Sequence, residues 1–156
     1  MNAGPSKILV IDEDCSVLYS LQKVLQFEGY ETMGLADGRQ AVNLQQTQQC
    51  QLIMLDLTMG NPDGLAVFEQ LRQHFPLVPI ILVIARFNRY DSVQIGGADA
   101  LIEKPINIDQ LLKTLRTLLC AEEQRVFKSN ECRRLGKEIS QHTITKINFE
   151  IEFLAN

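Results

Sequence analysis

The stretch Gln51-Leu52-Ile53-Met54-Leu55-Asp56-Leu57 constrains this chain more than any other. It is a nearly continuous apolar run, too short for a helix, preceded by polar sequence and followed by the loop residues Pro62, Asp63 and Gly64. Such a run reads as a strand covered on both faces, the environment of a parallel sheet. One carboxylate, Asp56, stands at its carboxyl end, where open α/β sheets place their ligands. An ionised Asp there needs a cation or several donors, because an unpaired buried charge is costly.

Four more runs of this type punctuate the chain, and helical spacing lies between them. Lys7–Asp12 reads as a strand, followed by a helix over Ser16–Phe27 with Val17, Leu21, Val24 and Leu25 in register and Gly29 as its stop. Tyr30–Leu35 is a short strand, and Asp37 or Gly38 opens a helix whose Gln-rich end reads as solvated. After the central strand come a helix through Leu65, Val67, Phe68 and Leu71, then a strand over Pro79–Ile84. A short, weak helix at 87–95 is stopped by Gly96-Gly97, and Asp99–Glu103 is the fifth strand. Asp109 is expected to cap an amphipathic helix through Leu111, Leu112, Leu115, Leu118 and Leu119. Strands alternating with helices imply a parallel sheet with helices on both faces and right-handed crossovers.

The polar groups at the strand ends form a set. Asp12 and Glu13 follow the first strand, Asp56 ends the third and Lys104 follows the fifth, so the topology brings them to one edge. Carboxylates are hard oxygen ligands suited to Mg²⁺. A lysine beside them can neutralise a phosphoryl oxygen, which leaves Asp56 as a carboxylate nucleophile.

Composition is compatible with this reading. At 156 residues, 46% hydrophobic and 22% charged, the chain suits one domain with an appendage. A net charge of −4, with the acidic excess in residues 1–120, argues against a nucleic-acid partner. Cys15, Cys50, Cys120 and Cys132 are far apart and lack zinc spacing, as expected of reduced thiols in a cytoplasmic protein. No signal-peptide pattern is apparent, and no apolar run reaches the ~18 residues needed to span a bilayer.

Taken jointly, Ile8-Leu9-Val10-Ile11-Asp12-Glu13-Asp14, Leu55-Asp56-Leu57-Thr58-Met59 with Asp63-Gly64, Gly97-Ala98-Asp99 and Lys104-Pro105 resemble the receiver domain of two-component response regulators. The resemblance covers about residues 5–120. It implies a flavodoxin-like, CheY-like fold, doubly wound, with five parallel strands in the order 2-1-3-4-5. It implies that Asp56 accepts a phosphoryl group from a sensor histidine kinase or phosphotransfer protein. Asp12, Glu13, Asp56 and the backbone carbonyl of Thr58 would hold Mg²⁺, Lys104 would contact the phosphoryl group, and the Lys104–Pro105 bond would be cis. A receiver of this kind is not a turnover enzyme, and its output is contact with a protein partner.

Four departures from the family stand out. Ile84 occupies the end of the fourth strand, where the family has a Thr or Ser whose hydroxyl bonds the phosphoryl group. Leu101 replaces the Tyr or Phe that follows that hydroxyl inward. Gly60 stands where Pro is usual, and Ala85–Gly97 is about two residues short, so the fourth helix should be small. Ile84 and Leu101 favour a second reading, a pseudo-receiver whose binding ignores phosphorylation, whereas Asp56, Glu13 and Lys104 oppose it. A flavin-binding enzyme of the same fold would need a Ser/Thr/Gly-rich phosphate loop after the first strand, and the chain has none there.

Simpler roles account for several residues. Asp63 reads as a helix N-cap and Asp14 as first-turn decoration of its helix. Ile84 also reads as core, Cys15 as a small neutral residue, and His74 and His142 as surface or packing residues. Residues 121–156 form a C-terminal extension, a charged helical stretch to Ile139 followed by an ambiguous segment. Over Thr143–Leu154, Ile147, Phe149, Ile151 and Phe153 alternate as in a strand, while Ile144, Ile147, Ile151 and Leu154 fit a helix. The β-branched and aromatic content favours the strand. Either way an apolar face needs cover from the receiver, from a second copy in a homodimer, or from another partner. A fragment of a longer protein would read the same way.

Overall fold

A computed structural model describes residues 4–60, 62–86, 90 and 92–154, with side chains described in these ranges apart from Ser92, Cys132 and residues 135–154. Five strands, β1 (Lys7–Ile11), β2 (Glu31–Leu35), β3 (Leu52–Asp56), β4 (Ile80–Ile84) and β5 (Ala100–Glu103), form one sheet in the order β2-β1-β3-β4-β5. Every pairing is parallel. The helices are α1 (Cys15–Phe27), α2 (Ala41–Gln48, entered through a 3₁₀ turn at Gly38–Gln40), α3 (Gly64–His74), α4 (Ser92–Ile95) and α5 (Ile108–Leu154). The doubly wound fold expected from the sequence is the fold observed.

The continuous apolar strands are explained by their two covered faces. Alternate residues of each strand go to opposite layers. Leu9, Ile11, Ile53, Leu55, Leu82 and Ile84 pack with Val67, Phe68 and Leu71 of α3. Ile8, Val10, Met54, Ile81 and Val83 pack with Leu18, Leu21 and Leu25 of α1 and with Leu111, Leu115 and Leu119 of α5. Each fully buried side chain of this size contributes about 1.5–3 kcal/mol through burial, so the middle of the sheet is its firmest part. Cys50, at the entrance to β3, is buried, and desolvation pushes its thiol up to about 11. Cys15 and Cys120 are exposed free thiols.

Gly29 ends α1 with φ +89°, a conformation that suits glycine. The short fourth helix expected from the reduced loop is described only as Ser92–Ile95, since residues 87–89 and 91 lie outside the described residues. Among the described residues no helix is long and apolar enough to cross a membrane.

Four local expectations are corrected. Gln45 is not part of a solvated helix end: it is buried, and its amide donates to the Cys50 carbonyl at 2.8 Å, tying α2 to β3. Asp14 is the N-cap of α1, accepting from the amides of Ser16 and Val17. Asp109 lies inside the first turn of α5, and the capping side chain is Asn107, which accepts from the Gln110 amide at 3.0 Å. Finally, Thr143–Leu154 is helical, part of α5, not a strand. A lone strand has no neighbour for its N–H and C=O groups, whereas a helix satisfies them internally, and Ile144, Ile147, Ile151 and Leu154 already have helical spacing. The side chains of that segment, His142 among them, lie outside the described residues.

By compactness the chain divides into Met1–Leu119 and Cys120–Asn156. The first unit holds the sheet and every residue of the candidate site. The second is helical over its described residues and carries exposed Val126 and Phe127.

Candidate functional site

β1 and β3 are adjacent, with Ile11 opposite Leu55, so Asp12 and Asp56 leave the sheet side by side at its carboxyl edge. Both are buried, at 3% and 4% exposure. β3 also pairs with β4, with Asp56 opposite Val83. Ile84 and Glu103 end the pairing of β4 with β5, and the Lys104 amide donates to the Ile84 carbonyl at 2.8 Å. This positions Lys104 to return across the edge, and its Nζ lies 2.8 Å from Asp56 Oδ2. The Lys104–Pro105 bond is cis.

The loop after β3 completes the environment of Asp56. The Thr58 amide donates to Asp56 Oδ1 at 2.8 Å. The Thr58 hydroxyl lies 2.7 Å from Oδ1 and 2.8 Å from Oδ2, and Lys104 Nζ donates to it at 3.2 Å. Gly64 lets α3 start close against β3: a Cβ there would come within 2.7 Å of the Asp56 carbonyl oxygen and of Leu57 Cα. Asp63 caps α3 by accepting from the Leu65 amide at 3.3 Å, the role expected of it.

Asp12 is less well compensated than Asp56. Its Oδ1 accepts from the Asp14 amide at 2.8 Å. Burial nevertheless pushes its carboxyl above the ordinary value, with the Asp56 charge adding to the rise and Lys104 opposing it. Glu13 is exposed and turned towards the β3–α3 loop, where its Oε2 accepts from the Gly60 amide at 3.1 Å.

Asp12, Asp56 and Lys104 are therefore brought together, and Thr58 joins them through its amide and hydroxyl. Glu13 lies at the margin. Among the described residues no three His, Cys, Asp or Glu side chains form a cation cage. Mg²⁺ does not require one, since it keeps several waters and takes one or two carboxylates. Two adjacent buried carboxylates are a donor set that fits such a hard cation.

Two of the residues that depart from the family pattern, Ile84 and Leu101, belong to the core. Ile84 is fully buried among Leu82, Phe68 and Leu71, and half-buried Leu101 packs on the same cluster. His74 stays on the surface, its Nδ1 2.8 Å from the Gln70 carbonyl. Three contacts were not read from the sequence: the Thr58 hydroxyl, the Gly60 amide to Glu13, and the Tyr90 hydroxyl, which donates to the Leu57 carbonyl at 3.2 Å. Only Thr58 left a signal, a hydroxyl two residues from a strand-end carboxylate, which is a spacing that allows a local turn. Tyr90 and Gly60 reach the site through loops whose path no periodicity encodes.

Comparison with known proteins gives one family. Residues 8–116 match the model of the response regulator receiver domain. The response regulator MprA of Mycolicibacterium vanbaalenii is 37% identical over 117 residues, which are 74% of this chain and 51% of that protein. The chain thus spans about half the length of the curated relatives it matches. A CheY-like receiver domain protein from Methanospirillum hungatei superposes with a TM-score of 0.73 at 27% identity, covering 78% of this chain and 99% of that one. The response regulator TrrA of Thermotoga maritima, solved in complex with Mg²⁺ and BeF, has a TM-score of 0.67 at 28% identity, covering 72% of this chain and 98% of that one.

Proposed function

The chain belongs to the response regulator receiver family, and from that premise we propose that Asp56 accepts a phosphoryl group from the phosphohistidine of a sensor histidine kinase or phosphotransfer protein. The observation that carries the reading is the buried Asp56 carboxylate, 2.8 Å from Lys104 Nζ and beside Asp12 at the sheet edge. An Asp56 oxygen attacks phosphorus, the P–N bond of the donor breaks with its electron pair leaving on the imidazole, and an acyl phosphate forms. Lys104 offsets the charge arriving on the phosphoryl oxygens. Asp12, Asp56 and the Thr58 carbonyl, with Glu13 through water, would hold Mg²⁺, which neutralises further phosphoryl charge when bound.

The reaction is stoichiometric, so the chain is a signalling protein and not a turnover enzyme. A kinase partner implies a cytoplasmic setting. Output passes through contact with a further protein, without direct nucleic-acid contact by this chain, and residues 121–156 offer a segment for homodimer or partner contact. The second reading, an interaction module indifferent to phosphorylation, draws on one observation: Ile84 is wholly inside the core and has no donor to offer a phosphoryl group.

Incubation with acetyl phosphate and Mg²⁺, followed by intact mass, tests the acceptor reading. The acceptor reading requires a mass gain of one phosphoryl group that Asp56→Asn abolishes. No gain in the wild type, or equal labelling of the variant, would remove Asp56 as the acceptor.

A further inference from the structure

We infer that the Thr58 hydroxyl is a catalytic residue of the phosphoryl site, the neutral donor that holds the free Asp56 carboxylate and then hydrogen-bonds the phosphoryl oxygens attached to it. The inference deepens the acceptor reading and rests on it. Thr58 Oγ1 lies within 2.8 Å of both carboxylate oxygens and accepts from Lys104 Nζ at 3.2 Å. A hydroxyl carries one proton, so it can bond only one of the two oxygens at a time. It is therefore placed for either oxygen and committed to neither. The contact is also supported from behind, because the Thr58 amide bonds Oδ1 and holds the turn in which the hydroxyl faces the carboxylate.

Transfer changes which atoms need the proton. As the attacking oxygen forms its bond to phosphorus it becomes an ester oxygen, a poor acceptor, and negative charge concentrates on the phosphoryl oxygens. A hydroxyl beside both carboxylate oxygens needs only to turn about its C–O bond to follow that charge. Lys104 Nζ, already bonded to Asp56 Oδ2 and to Thr58 Oγ1, keeps the two groups together. Ile84, at the end of β4, is sealed in the core and leaves this task to the β3–α3 loop.

The test uses beryllofluoride with Mg²⁺ as the phosphoryl mimic, titrated into the full chain and followed by backbone amide NMR. Thr58→Val keeps the shape and removes the hydroxyl; Thr58→Ser keeps the hydroxyl and removes the methyl. The valine variant also loses the bond to the free carboxylate, so only the difference between the two states is read, about three- to tenfold weaker binding. Thr58→Ser should stay within about twofold of wild type, on the same scale. Far-UV circular dichroism verifies that both variants are folded. Valine binding as tightly as wild type overturns the inference and leaves the acceptor reading standing. Serine losing as much as valine also overturns it, since packing of the methyl would then be the cause. A wild type that takes up no beryllofluoride at Asp56, judged against Asp56→Asn, overturns the acceptor reading and this inference with it.

Discussion

Gly64→Ala probes how the fold builds the site. The added Cβ would lie 2.7 Å from the Asp56 carbonyl oxygen, 2.7 Å from Leu57 Cα and 2.9 Å from the Leu57 carbonyl oxygen. All three are backbone atoms, of Asp56 at the end of β3 and of Leu57 just after it, so none can swing aside. Ordinary contact begins at 3.4 Å, which requires the start of α3 to withdraw by about 0.7 Å. Overpacking of this kind costs about 1–3 kcal/mol. Alanine's better helix propensity offsets at most about 1 kcal/mol of that, and less at a helix start. The net loss is about 1–2 kcal/mol, a fall in Tm of roughly 3–10 °C for a domain of this size. Displacing Asp56 from Lys104 and Thr58 by a fraction of an ångström should also slow acetyl phosphate labelling by roughly tenfold, since transfer is sensitive to misplacement on this scale. Thermal unfolding and time-resolved intact mass measure the two effects. Gly60→Ala is the internal control, because nothing lies within 4 Å of a Cβ there and its Tm should not fall. An unchanged Tm and labelling rate in Gly64→Ala would refute the close approach of α3 to β3.

Two further outcomes are expected. Burial raises the Asp12 carboxyl above its ordinary value, so its contribution to stability is present in acid and lost as pH rises through the raised value. At pH 7 the ionised group opposes folding. Asp12→Asn should therefore raise the Tm of the Mg²⁺-free protein at pH 7, with the gain fading in acid, and should lose the stabilisation that Mg²⁺ gives the wild type. A variant less stable than wild type at pH 7 without Mg²⁺ would contradict this. The second outcome concerns Ile84 and Leu101, which have neither hydroxyl nor ring to move. Beryllofluoride should shift amides at 12–14, 56–60, 104 and 106 strongly, and those at 100–103 and 108–118 little. Large shifts in the latter ranges would reveal a relay, and loss of those shifts in Tyr90→Phe would assign it to the Tyr90–Leu57 contact.

Much of the fold was legible because its strands are covered on both faces. Burial of that kind writes itself as short continuous apolar runs, and alternation with helical spacing then implies parallel pairing. Once the strands are parallel, residues just past their ends must share an edge, which is why Asp12, Asp56 and Lys104 could be grouped from their positions alone. The order of the strands came from resemblance, not from periodicity. What remained hidden is decided by side-chain direction in loops and by contacts between distant segments. Gln45 lies in a polar run, yet one carbonyl at Cys50 draws it inside. Asn107, not Asp109, caps α5 because the backbone turns two residues earlier than the charge suggests. In the tail, one pattern fitted both strand and helix and composition leaned to the strand, yet the segment is helical, which lets its backbone groups pair within itself. Thr58 shows the division most clearly. Its place two residues after Asp56 is written in the chain, but that its hydroxyl bridges both carboxylate oxygens and meets Lys104 depends on α3 closing over Gly64 and on β5 returning Lys104 to the edge.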